Sequence, residues 1–206
     1  NASVTVALTL DDGRPNLSGT WLGGLGRDGR TPPPFNEAGT ALQAEFDPLN
    51  DPAFAECAEH GLVRQAMSGH PLRIMQYEDR VLLEYEQDAV TRVIYLDGRG
   101  PQTTEHTAYG HHVARYENDT LVIETTQLIG RLTGTQGNAL SDLSTVKETL
   151  RRVDTPDLGA VLGMTLVVTD PGHLTGPWEM SWRKNYAAVD YDFVEVECQL
   201  PLPASE

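Results

Sequence analysis

The chain lacks the motifs that define several large enzyme classes. It has no GxSxG nucleophile elbow, no GxGxxG loop in a βαβ context, no GxxxxGK[ST] phosphate loop and no HExxH zinc motif. No apolar run approaches the roughly 18 residues of a membrane helix. The chain has 15 basic and 30 acidic residues, which gives a net charge of −15. This charge disfavours nucleic acid and anionic membranes as partners. We therefore expect a protein that uses no cofactor, does not insert into a membrane, and performs neither redox-cofactor nor phosphoryl-transfer chemistry.

Cysteine is scarce as well. Cys57 and Cys198 lie too far apart to form a CxxC motif. In an exported protein they would form one disulfide that ties the N-terminal segment to the last strand, whereas in a reducing compartment they would be two buried thiols. The chain starts at Asn1 without a signal-like apolar segment, which indicates a processed N-terminus or a trimmed chain. We predict the disulfide and a periplasmic or secreted location.

The distribution of turn residues predicts one domain, 1–206, with two parts. Residues 1–70 contain a Gly- and Pro-rich loop and two short helices, one capped by Asn36 and one that begins at Asp51-Pro52. Residues 71–200 are a succession of short β runs without alternating helices. This pattern is typical of a mainly β protein, and we predict a lipocalin-like antiparallel β-barrel of eight to nine strands. A seven-to-nine-strand sandwich is the alternative.

The barrel is predicted to be organised around residues 110–126. Asn118-Asp119 suits a two-residue hairpin turn between two apolar-rich arms. Both faces of these arms mix apolar and polar side chains. That mixture fits a barrel whose interior holds a ligand, and it fits equally a filled core with a few satisfied polar groups.

Candidate chemical groups lie on the predicted strands. His111 and His112 are adjacent and so point to opposite faces, which argues against joint chelation of a metal, and we predict no metal site. The predicted catalytic group is His111 with Tyr85 or Tyr95 and one of two carboxylates, Glu124 or Glu148. The predicted substrate-binding residues are Arg92, His112, Arg115, Tyr116, Trp178 and Trp182. The competing interpretation is a buried ion pair or crossed surface charges for the carboxylates, and core packing for the aromatic residues.

Four segments together resemble a known family. They are 95–99 (YLDGR), 110–125 (GHHVARYENDTLVIET), 151–154 (RRVD) and 169–178 (TDPGHLTGPW). In order and spacing they resemble a large family of exported bacterial proteins of unassigned function, whose pattern runs roughly DGR…GHSVGRWEGDTLVVET…RRVD…DP…PW…C. Residues 50–198 carry the resemblance, and Cys57 and Cys198 fall where that family tends to place cysteines. It implies β architecture and export, and it implies no reaction.

The chain departs from the family pattern at three positions. His112 stands where the family usually has Ser, Tyr116 replaces a usual Trp, and Leu140 stands where a His often precedes Ser141. The loss of that last histidine weakens the idea of a shared catalytic group at this point.

These observations lead to one functional hypothesis and two rivals. We expect a cofactor-independent enzyme that performs proton-transfer chemistry of the lyase, isomerase, cyclase or dehydratase type on a small, partly apolar molecule. The rivals are a non-catalytic lipocalin-like carrier and an envelope interaction module. Convergence of His, Glu and Tyr inside the barrel favours catalysis, an apolar cavity favours carriage, and a filled interior favours the interaction module. The expected partner is a small molecule, and no sequence signal decides the oligomeric state.

Overall fold

A computed structural model describes residues 7–23, 31–99, 103–130, 137–187, 191–194 and 198. Within these ranges the chain forms a closed barrel of nine strands, in which each strand pairs with its neighbours in sequence and β9 pairs with β1. The strands are β1 (Gly19–Leu22), β2 (Leu72–Gln76), β3 (Arg80–Tyr85), β4 (Val90–Tyr95), β5 (His111–Glu117), β6 (Thr120–Thr126), β7 (Thr145–Thr155), β8 (Gly159–Thr169) and β9 (Trp178–Tyr186). No helix in the described ranges is long and apolar enough to cross a membrane. The predicted mainly β barrel is confirmed.

Three short helices lie between β1 and β2: α1 (Glu37–Glu45), α2 (Pro52–Ala55) and α3 (Leu62–Ala66). Both predicted caps are present, since the side chains of Asn36 and Asp51 accept hydrogen bonds from the first-turn amides of α1 and α2. The second helix ends at Ala55 and does not reach Cys57. That residue has a φ of 52°, in the left-handed region, which cannot continue an α-helix.

Every strand pair is antiparallel except β4 and β5, which run parallel and are joined at a single register position, Tyr95 opposite Val113. The central hairpin has the predicted turn, because Glu117 pairs with Thr120 across Asn118-Asp119, and Asn118 has a φ of 55°. The register of this hairpin sends His112, Ala114 and Tyr116 toward the barrel interior. The parallel pair is the one feature of sheet order that differs from the antiparallel prediction.

The predicted last strand, 191–200, is not a strand in its described residues. Tyr191 to Val194 run as extended chain across the outside of β2 and β3, and apart from Cys198 the rest of that segment lies outside the described residues. Glu86 accepts hydrogen bonds from the Tyr191 hydroxyl and the Val194 amide, both at 3.0 Å. β1, which pairs with β2 and with β9, closes the barrel in place of a C-terminal strand.

The barrel interior is packed with side chains from all nine strands. Trp21 of β1 is fully buried, and its indole nitrogen donates to the carbonyl of Leu17 at 2.9 Å. Buried leucine, isoleucine, valine, methionine and tryptophan residues from β2 to β9 form one continuous core with it. Apolar burial of this extent is the main source of folding free energy.

The buried side chains of β9 are apolar except for that of Lys184. Lys184 is only 1% exposed, and its ammonium group donates to the carbonyls of Ser68 at 3.1 Å and His70 at 2.7 Å. No carboxylate among the described residues forms an ion pair with it. Burial therefore lowers the pKa of Lys184 to about 8.

The Lys184 pKa predicts a pH dependence of stability. Between pH 8 and 10 Lys184 is protonated in the unfolded chain and largely deprotonated in the folded chain. The free energy of unfolding should therefore rise with pH over this range, by about 2–3 kcal/mol. Urea denaturation at several pH values measures the slope. The slope should disappear in Lys184→Met and persist in Lys147→Met, a lysine on the exposed face of β7. Equal slopes in both variants would contradict this assignment.

The disulfide predicted between Cys57 and Cys198 is present and closes a loop across 141 residues. It joins the segment after α2 to the C-terminal segment, and it encloses β2 to β9. Because so long a loop is restricted in the unfolded chain, the bond should stabilise the fold by about 4–5 kcal/mol in the loop-entropy model.

Reduction should therefore lower the midpoint of chemical denaturation by an amount that corresponds to several kcal/mol. The double variant Cys57→Ala/Cys198→Ala should show the same lowered midpoint and no further response to reductant. If the wild type and the double variant unfolded at the same denaturant concentration, the bond would contribute nothing to stability.

Candidate functional site

Five polar residues from five consecutive strands meet inside one end of the barrel. We call them the interior cluster: Tyr85 of β3, Arg92 of β4, His112 of β5, Thr125 of β6 and Glu148 of β7. Each is at most 7% exposed. The register brings them together, because the end of β4 pairs with the start of β5 at Tyr95 and Val113, His112 is opposite Thr125, and Glu148 is opposite Ile123.

The guanidinium group of Arg92 is the centre of this cluster. It donates two parallel hydrogen bonds to Glu148, from Nη1 to Oε1 at 3.0 Å and from Nη2 to Oε2 at 2.5 Å. Nη1 also donates to the Tyr85 hydroxyl at 3.0 Å. Bidentate arginine–carboxylate pairing is the strongest ion-pair geometry in proteins. The buried charges are therefore paired within the cluster.

His112 lies against the same guanidinium group. Its two ring nitrogens are each 3.4 Å from nitrogens of Arg92, long for hydrogen bonds, while Nδ1 lies 2.8 Å from the Thr125 hydroxyl. Burial and, next, the positive charge of Arg92 lower the pKa of His112 well below its usual value. The imidazole is therefore neutral near pH 7 and has a nitrogen that can accept a proton.

Tyr85 and Arg92 hold their protons tightly. Burial raises the pKa of the Tyr85 hydroxyl. Burial by itself lowers the pKa of Arg92, but the charge of Glu148 and the hydrogen bonds to Glu148 and Tyr85 outweigh it and raise that pKa. Tyr85 accepts a hydrogen bond from Arg92, and its own proton has no acceptor among the described residues. The cluster thus offers one arginine and one phenol proton as donors.

The structure does not bring several predicted catalytic residues to this cluster. His111 lies on the outer face with a ring nitrogen 3.2 Å from the carbonyl of Arg99, because side chains alternate along β5 and His112 points inward. Glu124 also lies outside, about half exposed, where Arg115 donates to it at 2.9 Å. Tyr95 packs against the guanidinium group of Arg99. The predicted grouping of His111 with Tyr85 or Tyr95 is corrected to one of His112 with Tyr85.

Three predicted binding residues line other parts of the barrel. Tyr116 lies near the opposite end, where its hydroxyl is 2.7 Å from the amide nitrogen of Gln76. Trp178 is buried and donates to the carbonyl of Thr31 at 2.8 Å. Trp182 is buried in the core, and its indole nitrogen has no hydrogen-bond partner among the described residues. These positions fit the core interpretation of the aromatic residues.

A second polar group lies above the cluster, at the end of the barrel nearest α3; we call it the mouth group, His60, Asp88 and Tyr109. The amide of Leu62 in α3 donates to the carbonyl of Ala108, which places the helix over the start of β5. His60 Nδ1 is 2.7 Å from a carboxylate oxygen of Asp88. Gln87 Nε2 lies 2.9 Å from the same nitrogen.

Burial lowers the pKa of His60, and the charge of Asp88 opposes that effect, so the neutral imidazole is favoured. The tautomer of this neutral ring decides which contact is a hydrogen bond, since Nδ1 accepts from Gln87 when it carries no proton and donates to Asp88 when it does.

Tyr109 connects the mouth group with the interior cluster. Its hydroxyl is buried and has no hydrogen-bond partner in the described part of the chain. Burial raises the pKa of Tyr109, the charges of Glu59 and Asp88 raise it further, and the charge of Arg92 lowers it. An unpaired buried hydroxyl is costly, and the cost is recovered if a ligand supplies the missing acceptor.

The cavity beside α3 is small. A cavity of about 10 Å³ lies beside α3, with His60, Ala108, Leu128 and Ser144 in its wall. That volume holds roughly one water molecule. The Ser144 hydroxyl is buried without a partner among the described residues, so a water there has at least one polar group to bind.

Sequence reasoning named four of the five cluster residues but missed Thr125 and the whole mouth group. Thr125 could have been found, because a two-residue turn at 118–119 fixes the hairpin register and sets Thr125 opposite His112. His60, Asp88 and Tyr109 come from segments whose approach depends on the docking of α3. No local pattern in the sequence specifies that docking.

Comparisons of the chain with protein-family models, with curated proteins and with solved structures found no match. The functional argument therefore depends on the geometry of the site itself.

The Arg92–Glu148 pair gives a prediction about stability. Arg92→Met should destabilise the fold by about 3–5 kcal/mol, because it leaves the carboxylate of Glu148 buried without its partner. The double variant Arg92→Met/Glu148→Met should regain most of that loss, since two apolar side chains of similar volume replace the pair. Thermal and urea unfolding measure both.

The matched control is Arg115→Met/Glu124→Met, the same exchange on the outer face, where both side chains are about half exposed. It should leave the melting temperature almost unchanged. A double interior variant as unstable as Arg92→Met alone would contradict the argument.

Proposed function

We propose that the protein is a cofactor-independent enzyme that transfers a proton on a small, partly apolar molecule at the α3 end of the barrel. The observation that carries the proposal is the convergence of Tyr85, Arg92, His112 and Glu148 from four strands. A buried ion pair adds little stability compared with apolar packing, so the fold alone does not account for it. Titratable groups with shifted pKa values in one buried cluster are typical of active sites.

In this proposal the donors of the cluster stabilise negative charge. Arg92 and the hydroxyl of Tyr85 face a developing oxyanion, as in a carbonyl compound that loses a proton from the adjacent carbon. The unpaired hydroxyl of Tyr109 supplies a further donor. His112, held neutral by its low pKa, accepts the proton, and Glu148 holds the guanidinium group in place. The reaction class is that of a lyase or isomerase.

Access to the cluster requires side chains to move. The cavity beside α3 has a volume of about 10 Å³, too small for a substrate. Tyr109 is the side chain best placed to swing aside, because no hydrogen bond to a described residue holds its hydroxyl. A ligand that displaces the side chain of Tyr109 reaches Arg92 and accepts a hydrogen bond from the Tyr109 hydroxyl, which has no partner among the described residues.

The packed interior is the observation that favours a second function. A carrier needs a cavity, whereas the described interior is filled by core residues from every strand. A filled barrel suits a binding module that acts through its outer surface. We propose this as the alternative, in place of a carrier.

The disulfide supports one further part of the proposal. Disulfides persist in oxidising compartments, so the Cys57–Cys198 bond supports export to the periplasm or the medium. Membership of the exported bacterial family, proposed on the motifs at 95–99, 110–125, 151–154 and 169–178, leads to the same location.

A phenolate probe tests the enzyme proposal. 4-Nitrophenol should bind as its phenolate, because the donors of the site favour an oxyanion, and the absorbance of the phenolate should rise on addition of protein. Tyr85→Phe and Tyr109→Phe should each weaken binding about tenfold, the effect of one hydrogen bond to a charged group. Spectrophotometric titration near neutral pH measures the affinity.

Tyr95→Phe is the control, since this tyrosine packs on Arg99 outside the cluster and should bind the probe like the wild type. Wild-type protein that leaves the spectrum unchanged, or Tyr85→Phe and Tyr109→Phe proteins with wild-type affinity, would refute the proposed oxyanion site.

A further inference from the structure

The outer face of β7, β8 and β9 has a groove with a volume of about 370 Å³. We call it the outer groove. Thr120, Val153, Met164 and Trp182 line part of it, and the other six lining residues are Thr149, Arg151, Gly163, Thr165, Ser181 and Arg183. These residues form two adjacent rows across the strands. In one row Thr149, Thr165 and Ser181 are direct cross-strand partners, and in the other Gly163 lies between Arg151 and Arg183.

The glycine in this groove is not required by the fold. Gly163 lies in the middle of β8 and lacks the positive φ that would exclude other residues. A Cβ atom there would meet only the carbonyl oxygen of Arg151, at an ordinary contact distance of 3.6 Å. Glycine inside a strand is less favourable than alanine and often marks close approach of a ligand. At this position it leaves the floor of the groove open.

The charges beside that floor are unusual in so acidic a protein. Arg151 and Arg183 are exposed and flank Gly163 on both sides, so their Cα atoms are about 10 Å apart, two strand spacings. Arg183 has no ion-pair partner among the described residues. Arg151 pairs with Asp119 in the β5–β6 turn at 2.6 Å. The groove thus presents two guanidinium groups, one of them with a carboxylate beside it.

The hydroxyl row adds neutral hydrogen-bonding groups next to the arginines. The side chains of Thr149, Thr165 and Ser181 form no hydrogen bond with any described residue. Hydroxyls both donate and accept, and they therefore match the hydroxyls of a sugar. Guanidinium groups match carboxylates.

We propose that the outer groove binds an acidic oligosaccharide, with uronate carboxylates on Arg151 and Arg183 and sugar hydroxyls on the row of Thr149, Thr165 and Ser181. The sugar lies over Gly163, where a larger side chain would obstruct it. A carboxylate of the ligand competes with Asp119 for Arg151. This site is independent of the proposed active site, which lies inside the barrel.

The test is titration calorimetry of the full chain with a galacturonic acid tetramer at low salt. We expect saturable binding, weakened at least tenfold in Arg183→Gln and lost in Gly163→Val, whose melting temperature should equal or exceed that of the wild type because valine favours strands. Asp119→Asn should bind severalfold more tightly, because it frees Arg151. Arg115→Gln, on the outer face of β5, should bind like the wild type.

Three results would overturn the proposal. The first is no heat of binding with the wild type, and the second is equal binding of a neutral glucose tetramer, which would exclude recognition of the carboxylates. The third is unchanged affinity in Arg183→Gln. If Gly163→Val destabilises the fold, this glycine has a structural role in β8. The binding affinities of Arg183→Gln and Asp119→Asn then decide whether the proposal holds. Loss of the groove would leave phenolate binding inside the barrel unaffected, so the two sites fail separately.

Discussion

Closure of the barrel rests on β1, a strand of four residues that pairs with β2 on one side and with β9 on the other. The fully buried Trp21 sits at this junction, and Tyr186 of β9 packs edge-on against it with ring centroids 5.1 Å apart. Closure leaves the sheet without free edges and fixes the inner and outer faces of every strand. Because side chains alternate, the same constraint places His112 inside and His111 outside, and it separates the proposed active site from the outer groove.

The interior cluster shows how a short stretch of register creates a concentrated polar site. Arg92 enters from β4, and three other strands supply a carboxylate, a phenol and an imidazole within reach of it. The hydroxyl of Thr125, from a fourth strand, contacts the imidazole. The low dielectric of the core strengthens each of these contacts and also makes each unpaired group costly. The unsatisfied hydroxyl of Tyr109 is therefore informative, since it is one of the described buried groups whose pairing is incomplete.

Local sequence predicts much of the architecture, but it predicts only part of the interior cluster and none of the mouth group. The caps at Asn36 and Asp51 and the turn at Asn118-Asp119 were predicted because each depends on neighbouring residues alone. The sequence leaves Glu124 and Glu148 as alternative carboxylates for the site. The structure separates them, since β6 carries buried side chains on both faces and a flanking valine does not identify the inner one. The parallel pairing of β4 with β5 and the docking of α3 depend on long-range contacts that no local pattern specifies.

The disulfide also divides the molecule topologically. The covalent ring that it closes contains β2 to β9, while β1 lies on the N-terminal side of Cys57 and outside the ring. The strand that completes the barrel is thus held by hydrogen bonds and packing alone, whereas the other eight are also joined by a covalent bond. Detachment of β1 would convert the closed barrel into a curved sheet with two edges while the covalent ring stays intact.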